Sequence, residues 1–111
     1  MALGKAQPMR ATGAAAIASS LTPAGPIVLD CVKLHLSAAG GAAENFTVTI
    51  NSETADVYDT VLFSQDMTTV TDIFWQPDRP IPIVNSDVVD FAYANGNTRT
   101  YGLEVIYRLE T

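Results

Sequence analysis

From Val32 to Leu109 the apolar residues recur at every second position in short runs. Each run is closed by a turn signal, and no convincing helical segment lies between them. That pattern limits what the chain can become. Parallel strands need long, usually helical crossovers, and this sequence has no place for them. The expected fold is therefore all-β and antiparallel. Val32-Lys33-Leu34-His35-Leu36 alternates dry and wet side chains, and Phe46, Val48 and Ile50 alternate with Thr47 and Thr49. Val57 to Ser64 and Thr69 to Gln76 read as a third and a fourth strand, the latter setting Ile73 and Trp75 against Val70 and Phe74.

Three prolines in Pro77-Asp78-Arg79-Pro80-Ile81-Pro82 remove ladder donors. This stretch is expected to be an edge or crossover with Ile81 and Ile83 tucked inward. Asn85-Ser86-Asp87 turns the chain into Val89, Phe91 and Tyr93. Asn95-Gly96 is the strongest hairpin signal, since a type I′ turn wants positive φ at both central residues. The return strand, Arg99 to Leu109, places Tyr101, Leu103, Val105, Tyr107 and Leu109 on one side. About six strands bounded by turns predict an antiparallel β-sandwich, of jelly-roll or immunoglobulin-like type.

The start of the chain is different. Residues 1–29 hold no Asp or Glu, only Lys5 and Arg10 as charges, and many Ala, Gly, Ser, Thr and Pro. Residues 30–111 hold four basic and all twelve acidic residues, so the net charge of −6 divides into +2 and −8. Residues 1–26 show no sustained period and carry Pro8, Pro23 and Pro26 among the glycines. They are expected to form an extended N-terminal arm, with the sandwich domain over residues 27–111. The Ala14 to Ala18 stretch is too short and too interrupted for an export signal.

Charge and motifs exclude several function classes. An acidic body repels nucleic acid and anionic lipid, and no apolar run reaches the ~18–20 residues that span a bilayer. Cys31 is the only cysteine and sits in an apolar run, which predicts a buried, unreactive thiol. His35 is the only histidine and lies on the wet side of its strand, with no nucleophile or carboxylate constellation near it in sequence. Asp56, Asp59, Asp66, Asp72, Asp78, Asp87 and Asp90 fall mostly at turns and strand ends, where Asp caps backbone amides. The Asn45-Phe46-Thr47 sequon lies within a strand. No phosphate-cradling loop or EF-hand string is present. The reading is a non-enzymatic protein with no cofactor and no metal.

Most aromatic residues sit at core positions of the alternation. Trp75, beside the Pro-rich stretch, is the best candidate for partial exposure, as an interface anchor or, in an alternative carbohydrate-binding or fibre-tip module, a sugar platform.

Two stretches carry a resemblance. They are the opening MALGKAQPMRATGAAAIASS and the C-terminal NSDVVDFAYANGNTRTYGLEVIYRLE, with its Asn-Gly tip and return strand. In these the chain resembles small virion proteins of tailed bacteriophages, in particular capsid decoration (cement) proteins. The resemblance implies a protein made in the host cytoplasm that binds the outer surface of a capsid shell, often as a homotrimer, and reinforces it. The partner would be the major capsid protein or another virion protein, and a neck, tail or minor head component is the alternative within the virion. On that reading the arm straps neighbouring subunits. Lys5 and Arg10 would pair with shell carboxylates, Ile17 and Leu21 would anchor in apolar grooves, and Trp75 and Ile81 would lie at an interface on the body.

Overall fold

The structure is a computed structural model that describes residues 3–23, 25–84 and 86–110. Among the described residues nine strands follow one another: β1 (Leu3–Gly13), β2 (Ile17–Leu21), β3 (Ile27–Leu36), β4 (Asn45–Asn51), β5 (Thr60–Asp66), β6 (Asp72–Trp75), β7 (Ile81–Ile83), β8 (Val88–Tyr93) and β9 (Tyr101–Glu110). All pairings are antiparallel, in two sheets packed face to face, so the expected all-β sandwich is the observed one.

Strand order resolves the topology. One sheet runs β1-β9-β3-β6, with β7 continuing beside β3, and the other runs β2-β8-β4-β5. Among the described residues only β4 and β5 are both consecutive in sequence and hydrogen-bonded to each other. The remaining links, apart from that between β6 and β7, cross from one sheet to the other. This is the interleaved order of a jelly roll, and it differs from the hairpin-rich immunoglobulin arrangement.

The core is the product of the alternation. Ile27, Leu29, Val32, Leu34 and Leu36 of β3 and Leu103 and Val105 of β9 face Phe46 and Val48 of β4 and Val89, Phe91 and Tyr93 of β8. A β-bulge at Asp30 restores this phase: Leu29 pairs with Tyr107 and Cys31 with Ile106, so Asp30 is the extra residue. Without it every residue after Leu29 would change face. Ile83 is buried and Ile81 packs partly against the core, as expected for the Pro-rich edge.

Two expectations are corrected. The first concerns the expected arm over residues 1–26, whose described residues do not stand apart from the sandwich. β1 pairs with β9 along its length, from Leu3 opposite Glu110 to Gly13 opposite Tyr101, and β2 pairs with β8, from Ile17 opposite Tyr93 to Leu21 opposite Val89. The segment supplies one edge strand to each sheet. The physical reason is the ladder: without β1 and β2, both β9 and β8 would present open edges beside the core. The second concerns Asn95-Gly96, which does not close a β8–β9 hairpin. β8 and β9 belong to different sheets, and residues 94–100 cross between them. Thr98 N–H bonds to the Asn95 carbonyl, and the positive φ values fall on Asn95 (53°) and Thr98 (51°) rather than on two consecutive residues. At the opposite end, the expected Asn85-Ser86-Asp87 turn has Ser86 at φ 79°, while Asn85 lies outside the described residues. The third expected strand starts late: Asp56–Tyr58 is a 3-10 turn, and β5 begins at Thr60.

Candidate attachment surfaces

Two of the six residues singled out from the sequence change character in three dimensions. Ile17 and Leu21 are 2% and 6% exposed and belong to the core, so neither is free to anchor in another protein. Trp75 is half-buried on the inward side of β6 and stacks on Phe63, with ring centroids 5.2 Å apart and planes at 23°. Both its phase and this stack take it out of the role of an open platform. Ile81 is half-buried against the same core. Lys5 and Arg10 remain exposed on β1.

The outer face of the β1-β9-β3-β6 sheet is an ordered lattice of ion pairs. Arg10, Glu104, Lys33 and Phe74 occupy one row across four strands. The Glu104 carboxylate accepts from Arg10 Nε on one side and from Lys33 Nζ (3.1 Å) on the other. The next row places Thr12, Gly102, His35 and Asp72 side by side, with His35 bonded to Asp72. Arg108 donates to the bulged Asp30 (2.6 Å). Gly102 leaves a shallow dent in this face beside Arg10 and Thr12. A Cβ there would meet nothing within 4 Å. Cys31 is buried on the same side, and burial pushes its thiol up from the ordinary range.

The outer face of the other sheet is built from small and hydroxyl side chains. Ala18 and Ser20 of β2, Asp90 and Ala92 of β8, and Thr47 and Thr49 of β4 line it, and Ser20 donates to Asp90 (2.6 Å). Among the described residues of its four strands there is no Lys or Arg.

The end of the sandwich formed by the links 14–16, 37–44, 67–71 and 94–100 is held by side chains bonded to backbone. Asn95, 3% exposed, donates from Nδ2 to the carbonyls of Ala15 and Arg99 (2.9 Å each) and accepts at Oδ1 from Arg99 N–H (2.8 Å). Asn97 donates to the Gly40 carbonyl (2.7 Å), Arg99 Nε to the Ala39 carbonyl (2.8 Å), and Gly96 N–H to the Glu44 carboxylate (2.9 Å). Gly40 permits this close approach: a Cβ on it would lie 2.5 Å from Tyr93 Oη and 2.6 Å from the Met67 carbonyl oxygen.

Exposed apolar side chains concentrate elsewhere. Val57 (82%), Tyr58 (62%), Val61 (60%) and Phe74 (65%) all lie on β5, β6 or the link that leads into β5. Sequence reasoning missed these four as surface residues. Phase alone pointed to Phe74, which alternates with the inward Ile73 and Trp75. Exposure of Val57 and Tyr58 follows from the 3-10 turn, which leaves no trace in the alternation.

Three carboxylates are held below their ordinary values. Hydrogen bonds from Arg10 and then Lys33 lower Glu104, the bond from His35 lowers Asp72, and Thr68 side-chain and backbone donors lower Asp66. A carboxylate lowered in the native state adds stability that is complete above its unfolded value and is lost as the pH falls through the native one. Thermal midpoints are therefore expected to hold from neutrality to about pH 5. They should then fall below the ordinary values of 4.5 for Glu104 and 3.8 for the two aspartates. A midpoint unchanged down to pH 2 in a thermal melt series, an acid limit set at about two pH units below the ordinary carboxylate range, would contradict this.

No cluster of three or more His, Cys, Asp or Glu side chains suited to a metal is found among the described residues. No family model and no curated protein matches the sequence. Among solved structures, a chain of the acid-stable capsid structure of Helicobacter pylori bacteriophage KHP30 shares the fold, with a TM-score of 0.56 and 18% identity. The alignment covers 96% of this chain and 95% of that one.

Proposed function

We propose that this protein is a non-enzymatic structural component of a bacteriophage virion, a capsid decoration protein that binds the outer surface of the shell and stabilises it. One observation carries the reading. A chain from a phage capsid structure shares the fold over nearly the whole length of both chains. The molecule is a two-sheet jelly roll whose one loop end is held by side-chain hydrogen bonds to backbone. Lys5 and Arg10, exposed on an edge strand, are the groups of the N-terminal segment available to neighbouring subunits. Decoration would use a homo-oligomer, a trimer on this reading, since several weak contacts to a repeating shell add to high avidity.

A sugar-binding reading is less favoured, because Trp75 already stacks on Phe63. The test is whether the chain is a stoichiometric, surface-accessible component of purified particles.

A further inference from the structure

We infer that copies of this chain associate head to tail, with the β1/β2 side of one sandwich against the β5/β6 side of the next. β1 and β2 are the edge strands on one side of the molecule, joined by three residues, and β5 and β6 are the edges on the opposite side. The inference rests on the homo-oligomer of the proposed function and names the two surfaces that build it.

Charge separates the two sides. Residues 3–21 carry Lys5 and Arg10 and no carboxylate. The opposite side, residues 52–83, carries Glu53, Asp56, Asp59, Asp66, Asp72 and Asp78 against one cation, Arg79. Two β1/β2 sides brought together would oppose cations with cations, and two β5/β6 sides would oppose carboxylates with carboxylates. Only the mixed contact is complementary. Levels along the strands also agree. Lys5 lies at the end of β1 next to the chain terminus, the end of the sandwich that holds the link 52–59 with Asp56 and Asp59, while the link 76–80 with Asp78 leaves the β6/β7 edge beside the middle of β3, between the levels of Val32 and Leu29. Arg10 lies in the same row as Phe74 and one row from Asp72.

Shape agrees as well. Four of the six large exposed apolar side chains among the described residues lie on the two edge strands of this side or the link into β5: Val61 and Phe74 on the outer faces of β5 and β6, and Val57 and Tyr58 in the link. The β1/β2 side offers the exposed small residues Ala6, Pro8, Ala14, Ala15 and Ala18, against which such side chains can seat. Alternation of strand direction makes β6 antiparallel to β1 and β5 antiparallel to β2. Copies set side by side therefore meet with antiparallel neighbours in both sheets. Contacts of this heterologous kind close into a ring when the rotation between copies permits.

Sedimentation equilibrium on the full chain, without shell, tests the inference apart from shell binding. The wild type is expected to self-associate, more weakly at high salt. Lys5→Glu/Ala14→Glu leaves the Arg10–Glu104 pair intact and reverses one side. Asp56→Lys/Asp78→Lys brings the other from a net −5 to −1 and leaves the β1/β2 side as it is. Each variant alone should associate about tenfold more weakly or less, and an equimolar mixture should recover association between the two. Tyr58→Ser/Phe74→Ser removes only exposed apolar surface and should weaken association to a similar degree while circular dichroism stays native. A wild type that is monomeric at every concentration would overturn the inference. So would variants that associate as tightly as the wild type, or a mixture that recovers nothing. None of these results bears on whether the protein binds a shell.

Discussion

Deletion of residues 2–21 yields a chain that does not fold: no cooperative thermal transition and no dispersed amide spectrum. The expectation follows from where this segment lies. Removing it strips β1 from β9 and β2 from β8, leaving unpaired ladder groups along both new edges. It also takes Ile17 and Leu21 out of the core, together with Met9 and Ala11, which are partly buried against that core. Loss of a buried Ile or Leu side chain costs about 2–5 kcal/mol, so these two alone account for about 4–10 kcal/mol. Total stabilities are about 5–15 kcal/mol, so the deletion consumes most or all of it. A detachable strap would give the opposite result, a truncated body with an unchanged melting point. Single substitutions grade the effect. Ile17→Ala should destabilise by about 2–5 kcal/mol. Lys5→Ala, at an exposed side chain, should stay within about 0.5 kcal/mol of wild type.

Asn95→Ala is the second large effect. The Asn95 side chain makes three hydrogen bonds in a place that water does not reach, two to carbonyls and one from an amide. Truncation leaves the Ala15 and Arg99 groups without those partners. Each unsatisfied buried group costs about 1–3 kcal/mol, offset in part where water can enter the space. The backbone adds to this, since φ at Asn95 is 53°, a conformation that Asn tolerates better than Ala. The expected loss is about 2–4 kcal/mol, read as a fall in melting temperature of roughly 8–20 °C. Asn95→Gly separates the two contributions, because Gly accepts the conformation and lacks the hydrogen bonds. A melting temperature for Asn95→Ala within about 2 °C of wild type would show that the loop end is not held by this side chain.

The contrast between what was legible and what was not has physical causes. β3, β4, β8 and β9 were readable because both sides of each strand carry a distinct chemistry, as in Phe46, Val48 and Ile50 against Thr47 and Thr49. β1 was not. Its inward positions are Gln7, Met9, Ala11 and Gly13, with one large apolar side chain among them, so β1 is a strand because β9 offers a ladder. In β2 the inward row Ile17, Ser19, Leu21 has a polar residue at its centre, which hides the period. Asn95-Gly96 misled for a different reason. A turn signal reports a local bend, and whether the flanking strands pair with each other or enter opposite sheets is decided by the whole topology. Surfaces depend on that topology too. The rows that join Arg10 to Glu104 to Lys33 to Phe74 bring together residues up to 94 positions apart, visible only once the strand order is known.

Protein quantification of purified, intact particles, with surface labelling before lysis, tests the proposed role most directly. The chain is expected to be present in a fixed ratio to the major shell protein. Lysines labelled on the intact particle are expected to include Lys33 of this chain, which is exposed on the outer sheet face away from the copy-to-copy contact. Absence of the chain from particles would contradict it. So would a handful of copies at a single vertex, or a chain that is labelled only after the shell is opened.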